Sequence, residues 1–199
     1  EVDMNMLRSD KSALVVIDVQ ERLLPLIHDA ETTVTQITRL MRGFQLVGAP
    51  VLLTEQYRKG LGPTEPRILE AYRTPVGPDG APVPDPPAAN PILEKMSFSC
   101  CGDGGFRQAL EATERRQIVL CGIESHVCVL QTALHLRDAG YDCYVAADAV
   151  SSRSPRNVEI ALRRMEAAGV VLTSCESAIF EMLEVCGTPA FKAWSRLIR

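Results

Sequence analysis

The sequence predicts an α/β fold: a single domain in which a parallel β-sheet carries helices on both faces. Three observations lead there. Short apolar runs alternate with amphipathic stretches, and a strand–helix–strand repeat implies crossover connections between parallel strands. The run Ala13–Ile17 (ALVVI) is apolar throughout, as suits a strand covered on both faces. The length, 199 residues, is that of one domain, able to bury roughly 70% of the surface its unfolded chain exposes.

The elements follow in order. Residues 1–10 are a polar extension, and residues 11–199 form the domain. Ala13–Ile17 is the first strand. Thr32–Leu46 places Val34, Ile37, Met41 and Phe44 at helical spacing, and Gly48 and Pro50 end it. Val51–Thr54 is the second strand. Pro75–Pro91 holds seven prolines in seventeen residues, which excludes helix or interior strand and makes an extended surface loop within the domain. Gly104–Glu114 reads as a helix and Gln117–Cys121 as a strand. Ser125–Ala139 is a helix stopped by Gly140, and Asp142–Ala147 is the next strand. Ser154-Pro155 pairs an N-cap with a first-turn proline, so Pro155–Ala168 is a helix, ended by Gly169. Val170–Thr173 is the last strand, and Thr188-Pro189 opens a C-terminal helix in the same way. In Ala190–Ile198 the spacing of Phe191, Trp194 and Leu197 makes an apolar face, which packs on its own sheet by default or on a second subunit.

Composition removes several function classes. Apolar residues at 46% and charged residues at 23% exclude disorder, collagen and coiled coil. A formal charge of −4 without a basic block argues against nucleic acid as a partner. No apolar run approaches the ~20 residues that span a bilayer, so no membrane partner is expected. Glu1–Asp10 lacks the apolar core of a secretory signal. The seven cysteines are odd in number, and Cys121 and Cys143 stand in apolar surroundings. A reducing cytoplasm suits them better than a disulfide scaffold. Cys100-Cys101 is an adjacent pair and lacks Cys-x-x-Cys spacing.

Ligands of a parallel α/β sheet collect beyond the carboxyl ends of its strands. That rule selects Asp18, the stretch Glu55-Gln56-Tyr57-Arg58, the stretch from Gly122 to Cys128, Asp148, and Ser174-Cys175-Glu176. Lys95 follows the proline loop. Asp18 is partly desolvated there and needs a partner, yet reads equally well as a cap of the next turn. Lys95 alone reads as a solvated side chain. Cys128 falls in the first turn of a helix, whose N-terminus favours a thiolate, although a core-facing cysteine has the same pattern. His126 stands two residues from Cys128, a spacing that does not face it on a helix, so a Cys–His dyad is a weak reading. Taken together the three make chemical sense. A carboxylate can take a thiol proton, a lysine cation lowers the cost of the thiolate, and first-turn amides can hold an oxyanion.

The segments Ser12–Gln20 (SALVVIDVQ), Glu94–Ser99 (EKMSFS) and Val119–Ala133 (VLCGIESHVCVLQTA) resemble the active-site segments of the isochorismatase-like cysteine hydrolases. Gly140–Ser154 and Ala161–Gly169 continue the likeness, which runs from about Lys11 to Leu183 with the proline loop the poorest part. It implies a Rossmann-like sheet and an Asp18, Lys95, Cys128 triad. It also implies a cis peptide at Ile123–Glu124 that helps aim the Glu124 and Cys128 amides at an oxyanion. Frequent oligomers among the relatives imply a homo-oligomer. The metal cluster of the related nicotinamidases, Asp-x-His-x-x-His, has no counterpart in Thr54-Glu55-Gln56-Tyr57-Arg58-Lys59-Gly60, so neither metal nor other cofactor is expected. The isochorismatases proper lack the cysteine, and the pattern here is more similar to the isochorismatase-domain-containing hydrolases.

The resulting expectation is a metal-independent cysteine hydrolase that cleaves an amide-like C–N bond of a small molecule through a thioester. Tyr57, Phe98 and His126 are candidate pocket walls, with ordinary packing beside the site as the alternative for each. Cys128 is expected to be the thiol most easily ionised and labelled. One rival is a non-catalytic binding or assembly protein on the same fold. A thiol-redox protein would need a resolving cysteine that no spacing suggests. A dinucleotide-binding protein would need the G-x-G-x-x-G that is missing after the first strand.

Overall fold

The computed structural model describes residues 6–84 and 91–199. Six strands lie among the described residues: β1 (Ser12–Ile17), β2 (Val51–Gln56), β3 (Leu93–Lys95), β4 (Gln117–Ile123), β5 (Asp142–Ser151) and β6 (Val171–Thr173). They form one sheet in the order β3-β2-β1-β4-β5-β6, with every neighbouring pair parallel. The predicted α/β class is the observed one. Of the proline-rich segment, residues 85–90 lie outside the described residues, as do residues 1–5 of the N-terminal extension. In the described part, Val76 and Pro82 form an isolated antiparallel bridge.

Two hydrophobic cores explain why the strand sequences are apolar on both faces. Along β1, Leu14 and Val16 enter one core, while Ala13, Val15 and Ile17 enter the other. Every residue of β1 is buried. Each aliphatic side chain there contributes about 2 kcal/mol of burial. The first core is closed by α1 (Ala30–Leu46), α3 (Pro66–Arg73), α7 (Cys175–Leu183) and α8 (Pro189–Leu197). The second is closed by α4 (Gly104–Ala112), α5 (Leu130–Asp138) and α6 (Pro155–Ala167). Trp194 is fully buried in the first core, with Phe191 and Leu197 packed against it. Part of the apolar face of α8 is thus spent within the chain.

Several elements differ from the sequence reading. The helices α2 (Arg58–Leu61), α3 and α7 and the strand β3 were not predicted. β5 continues to Ser151, beyond the predicted end at Ala147. The predicted helix Ser125–Ala139 is divided: Ser125–Val129 is a π-turn, and α5 starts only at Leu130. Ser154 does occupy the N-cap of α6, but its side chain makes no capping bond. Thr188 caps α8 by accepting from the Phe191 amide at 3.1 Å.

At Gly122 the chain crosses closely behind β1. Its φ is +116°, the β4–β5 register shifts between Leu120 and Gly122, and a Cβ would collide with the Ile17 carbonyl. Gly122→Ala is expected to cost about 3 kcal/mol, because neither backbone can yield inside the packed sheet. Chemical denaturation checks this, and an unchanged midpoint would contradict it.

Candidate active site

The strand order places β1 beside β4, with the chain winding away from them in opposite directions. The crevice beyond their carboxyl ends is a topological switch point, where α/β folds bind ligands. Asp18 leaves β1 and the turn containing Cys128 leaves β4. Lys95 is the last residue of β3, two strands away from β1.

Asp18 is fully buried and held in a left-handed conformation (φ 54°), which Asp tolerates better than most residues. Its Oδ1 accepts from the Thr54 hydroxyl at 2.7 Å, and its Oδ2 accepts from Lys95 Nζ at 2.6 Å. Lys95 is equally enclosed. Its ammonium also donates to Gln56 Oε1 (2.8 Å), Phe98 O (2.9 Å) and Ser97 O (3.2 Å). Four acceptors for three protons surround the charge completely. Only such saturation makes a buried ion pair tolerable, since desolvation otherwise exceeds the Coulombic gain. Gln56 is positioned in turn by Gln20, whose Oε1 accepts from the Gln56 amide at 2.7 Å.

Cys128 lies in the π-turn and lines the same cleft as the Asp18 carboxylate. Its carbonyl accepts from the Thr132 hydroxyl at 2.7 Å, and that hydroxyl accepts from the Cys100 amide at 2.9 Å. The preceding peptide Ile123–Glu124 is cis. The structure therefore brings Asp18, Lys95, Glu124 and Cys128 into one crevice from three strand ends.

Electrostatics define the resting state. Burial raises the Asp18 pKa above the ordinary carboxylate value, against the pull of Lys95, Thr54 and Cys128. Burial opposes the Lys95 charge, but Asp18 together with Cys100 and Cys128 holds Lys95 above its usual value. Burial, reinforced by the Asp18 carboxylate, pushes the Cys128 thiol up despite Lys95. Burial and the neighbouring carboxylate thus oppose the thiolate that the sequence led one to expect, while burial also increases the proton affinity of that carboxylate. The expected labelling order changes too, because Cys128 is buried while Cys186 is exposed. All seven cysteines are free.

Above the triad opens a cleft of about 240 Å³. Leu23, Leu61, Phe98 and Val127 supply apolar wall, and Gln56, Glu124 and Arg153 add polar wall. Of the candidate wall residues, Phe98 lines this cleft and the other two do not. Tyr57 is exposed, and its amide donates to Lys95 O at 2.9 Å. His126 turns instead to Ser152, with Nδ1 2.9 Å from its hydroxyl. Arg153 and Thr54 escaped the sequence reading. Thr54 ends a predicted strand and could have been found by the strand-end rule, whereas nothing local marks Arg153. The Glu55 carboxylate is engaged by the Thr64 amide and hydroxyl (both 2.7 Å) and by Arg58 (2.8 Å). Among the described residues no group of three His, Cys, Asp or Glu side chains could hold a metal ion. None of the described helices is long and apolar enough to cross a membrane.

The family model of the Isochorismatase domain matches residues 12–177. The secreted isochorismatase effector Isc1 of Phytophthora sojae (strain P6497) is 37% identical over 94% of this chain and 84% of its own. Isochorismatase domain-containing protein 2 of Rattus norvegicus is 32% identical over 96% and 82% of the two chains. Among solved structures, the MAR1 ribonuclease from Caenorhabditis elegans superposes with a TM-score of 0.84 at 34% identity, covering 97% of this chain and 92% of that one.

Proposed function

Because this chain belongs to the isochorismatase domain family, we propose that it is a cysteine hydrolase cleaving an amide-like C–N bond of a small molecule. One observation carries the reading: a buried carboxylate, 2.6 Å from a fully coordinated lysine, lines the same cleft as a buried thiol. In the proposed cycle Asp18 takes the Cys128 proton as sulfur attacks the carbonyl carbon. The oxyanion is held by the Glu124 and Cys128 amides. The C–N bond breaks as the amine takes the proton back from Asp18, leaving a Cys128 thioester. Water gives a proton to Asp18, attacks the thioester and releases the acid, and Cys128 regains its proton. Lys95 stays charged throughout and fixes the orientation of the Asp18 carboxylate.

The ribonuclease activity for which one solved relative is named is not carried over. The net charge of −4 and a cleft of about 240 Å³ do not suit a polyanionic strand. We also place the protein in a reducing compartment such as the cytoplasm, a reading supported by its seven unpaired cysteines.

Incubation with a panel of small primary amides and ureides, followed by intact-mass measurement after acid quench, should show an acyl adduct on Cys128 and release of the acid. A chelator should leave turnover unchanged, since each proposed step uses protein groups alone. Absence of adduct and turnover across the panel would overturn the hydrolase reading. Turnover lost with chelator and regained with zinc or manganese would overturn metal independence.

A further inference from the structure

A second buried thiol stands beside the site and has no part in the proposed cycle. Cys100 opens the 3₁₀ turn Cys100–Gly102, between β3 and α4, and is fully buried. Its Sγ lies 4.0 Å from the Thr54 hydroxyl, the same hydroxyl that donates to Asp18 Oδ1 at 2.7 Å. The Cys100 amide and the Cys128 carbonyl share the Thr132 hydroxyl, at 2.9 and 2.7 Å. Both cysteines belong to the second hydrophobic core, and charge on Cys100 would push the Cys128 thiol up further. Two thiols are thus gathered around one carboxylate, although no sequence spacing pairs them. Their access differs. Cys128 lines the cleft, whereas Cys100 is closed off from solvent.

We propose that Cys100 is the resolving thiol for Cys128, so that a hydroperoxide entering the cleft converts the pair reversibly to a Cys100–Cys128 disulfide. The bond itself rests on the gathering of the two thiols at Asp18, and only its effect on turnover rests on the hydrolase reading above. In the first step Asp18 takes the Cys128 proton while sulfur attacks the terminal peroxide oxygen. The O–O bond breaks, the departing alkoxide takes the proton from Asp18 as an alcohol, and Cys128 is left as a sulfenic acid. In the second step Asp18 takes the Cys100 proton and Cys100 Sγ attacks Cys128 Sγ. The sulfenic hydroxyl leaves with that proton as water. Two thiols give up two electrons, and the hydroperoxide is reduced to alcohol and water. Burial, reinforced by Asp18, pushes the Cys100 thiol up to about 12. It therefore needs a base, and once ionised it is a strong nucleophile. Bond formation draws in a short irregular turn rather than a strand. Disulfide geometry brings the Cα atoms within about 7 Å, so that turn is the part that must yield.

The test treats the full chain with a small excess of hydrogen peroxide, quenches it in acid, and reads intact mass and peptides mapped without reduction. The wild type should lose about 2 Da, the mass of two hydrogens, and carry a Cys100–Cys128 cross-link that dithiothreitol reverses. In Cys100→Ala the same treatment should instead add about 32 or 48 Da at Cys128, as acids that dithiothreitol does not reduce. Amide turnover should fall in step with cross-linking. It should return with dithiothreitol in the wild type and stay lost in Cys100→Ala, each scored against its own untreated activity. A cross-link in a protein that turns over no amide would sink the hydrolase reading and support this one. Wild-type Cys128 left unmodified, or oxidised to the same acids as in Cys100→Ala, would overturn the proposal, as would disulfides formed only through Cys101 or Cys186. Should Cys100→Ala fail to fold, the wild-type peptide map decides alone: the cross-link supports the proposal and its absence overturns it.

Discussion

Asp18→Asn is expected to lower turnover about 10⁴-fold, with Cys128→Ala at least as damaging, because both belong to the proposed catalytic unit, whose members would act together. Asn keeps the shape of the side chain, tolerates the left-handed backbone at this position and can still accept from Thr54, but it also leaves the buried Lys95 without its counter-charge, so a loss of stability accompanies the loss of the proton acceptor. Circular dichroism should show the fold retained. The two variants differ in what accumulates: neither acyl-enzyme nor acid forms in Cys128→Ala, whereas any acyl-enzyme formed by Asp18→Asn should persist. The wild-type pH profile carries the same assignment. Asp18 must be ionised to take the thiol proton, and burial raises its pKa. Activity should therefore fall as pH falls through a value above the ordinary carboxylate range. An acidic limb within the ordinary range, or Asp18→Asn retaining a tenth of wild-type turnover, would remove Asp18 from the role of base.

Lys95→Met is expected to cost about 3–5 kcal/mol of stability at neutral pH, since it leaves the fully buried Asp18 carboxylate without its counter-charge. The pH dependence of this loss has a definite sign. With Lys95 gone, the folded-state pKa of Asp18 lies still higher above its unfolded value. The neutral carboxyl is then the form that folding prefers, so stability is retained below the unfolded pKa and lost as pH rises through the folded one. The gap between variant and wild type should narrow on acidification and widen towards neutrality. The double variant Asp18→Asn with Lys95→Met removes both charges and should recover most of the loss. Urea denaturation across pH checks all three, and a neutral-pH midpoint for Lys95→Met equal to wild type would show that the pair is not a buried one.

Much of this architecture is legible in the residues because it depends on local apolar pattern. Ala13–Ile17 and Gln117–Cys121 read as strands, and the strand-end rule then selects Asp18 and the Cys128 segment. Lys95 is different. Its strand has three residues and only Lys95 itself is buried, too short a pattern to separate from loop, so it gained a role only from its chemical fit with Asp18 and Cys128 and from the family resemblance. The split of Ser125–Ala139 into a π-turn and α5 has no signature in apolar spacing. The walls of the cleft were least legible. Tyr57 neighbours the site in sequence yet faces outward, whereas Arg153 is brought in by a β5 longer than its apolar run suggests. Local pattern sets which strand a residue follows, while the direction of its side chain depends on contacts made far along the chain.

The slender strand that ends in Lys95 gives the site and the fold separate thresholds. β3 lies at the sheet margin and pairs only through Thr54↔Leu93, Glu55↔Glu94 and Gln56↔Lys95. Peeling it away would carry the ammonium from Asp18 while both hydrophobic cores remained closed. Such partial opening needs only a fraction of the global unfolding free energy. Warming should consequently silence the molecule before it melts, and amide protons of Leu93–Lys95 should exchange well ahead of those in β1 and β4. Among the ties that resist this peeling is the Lys95–Asp18 pair, so a contact proposed to support catalysis also serves as a latch.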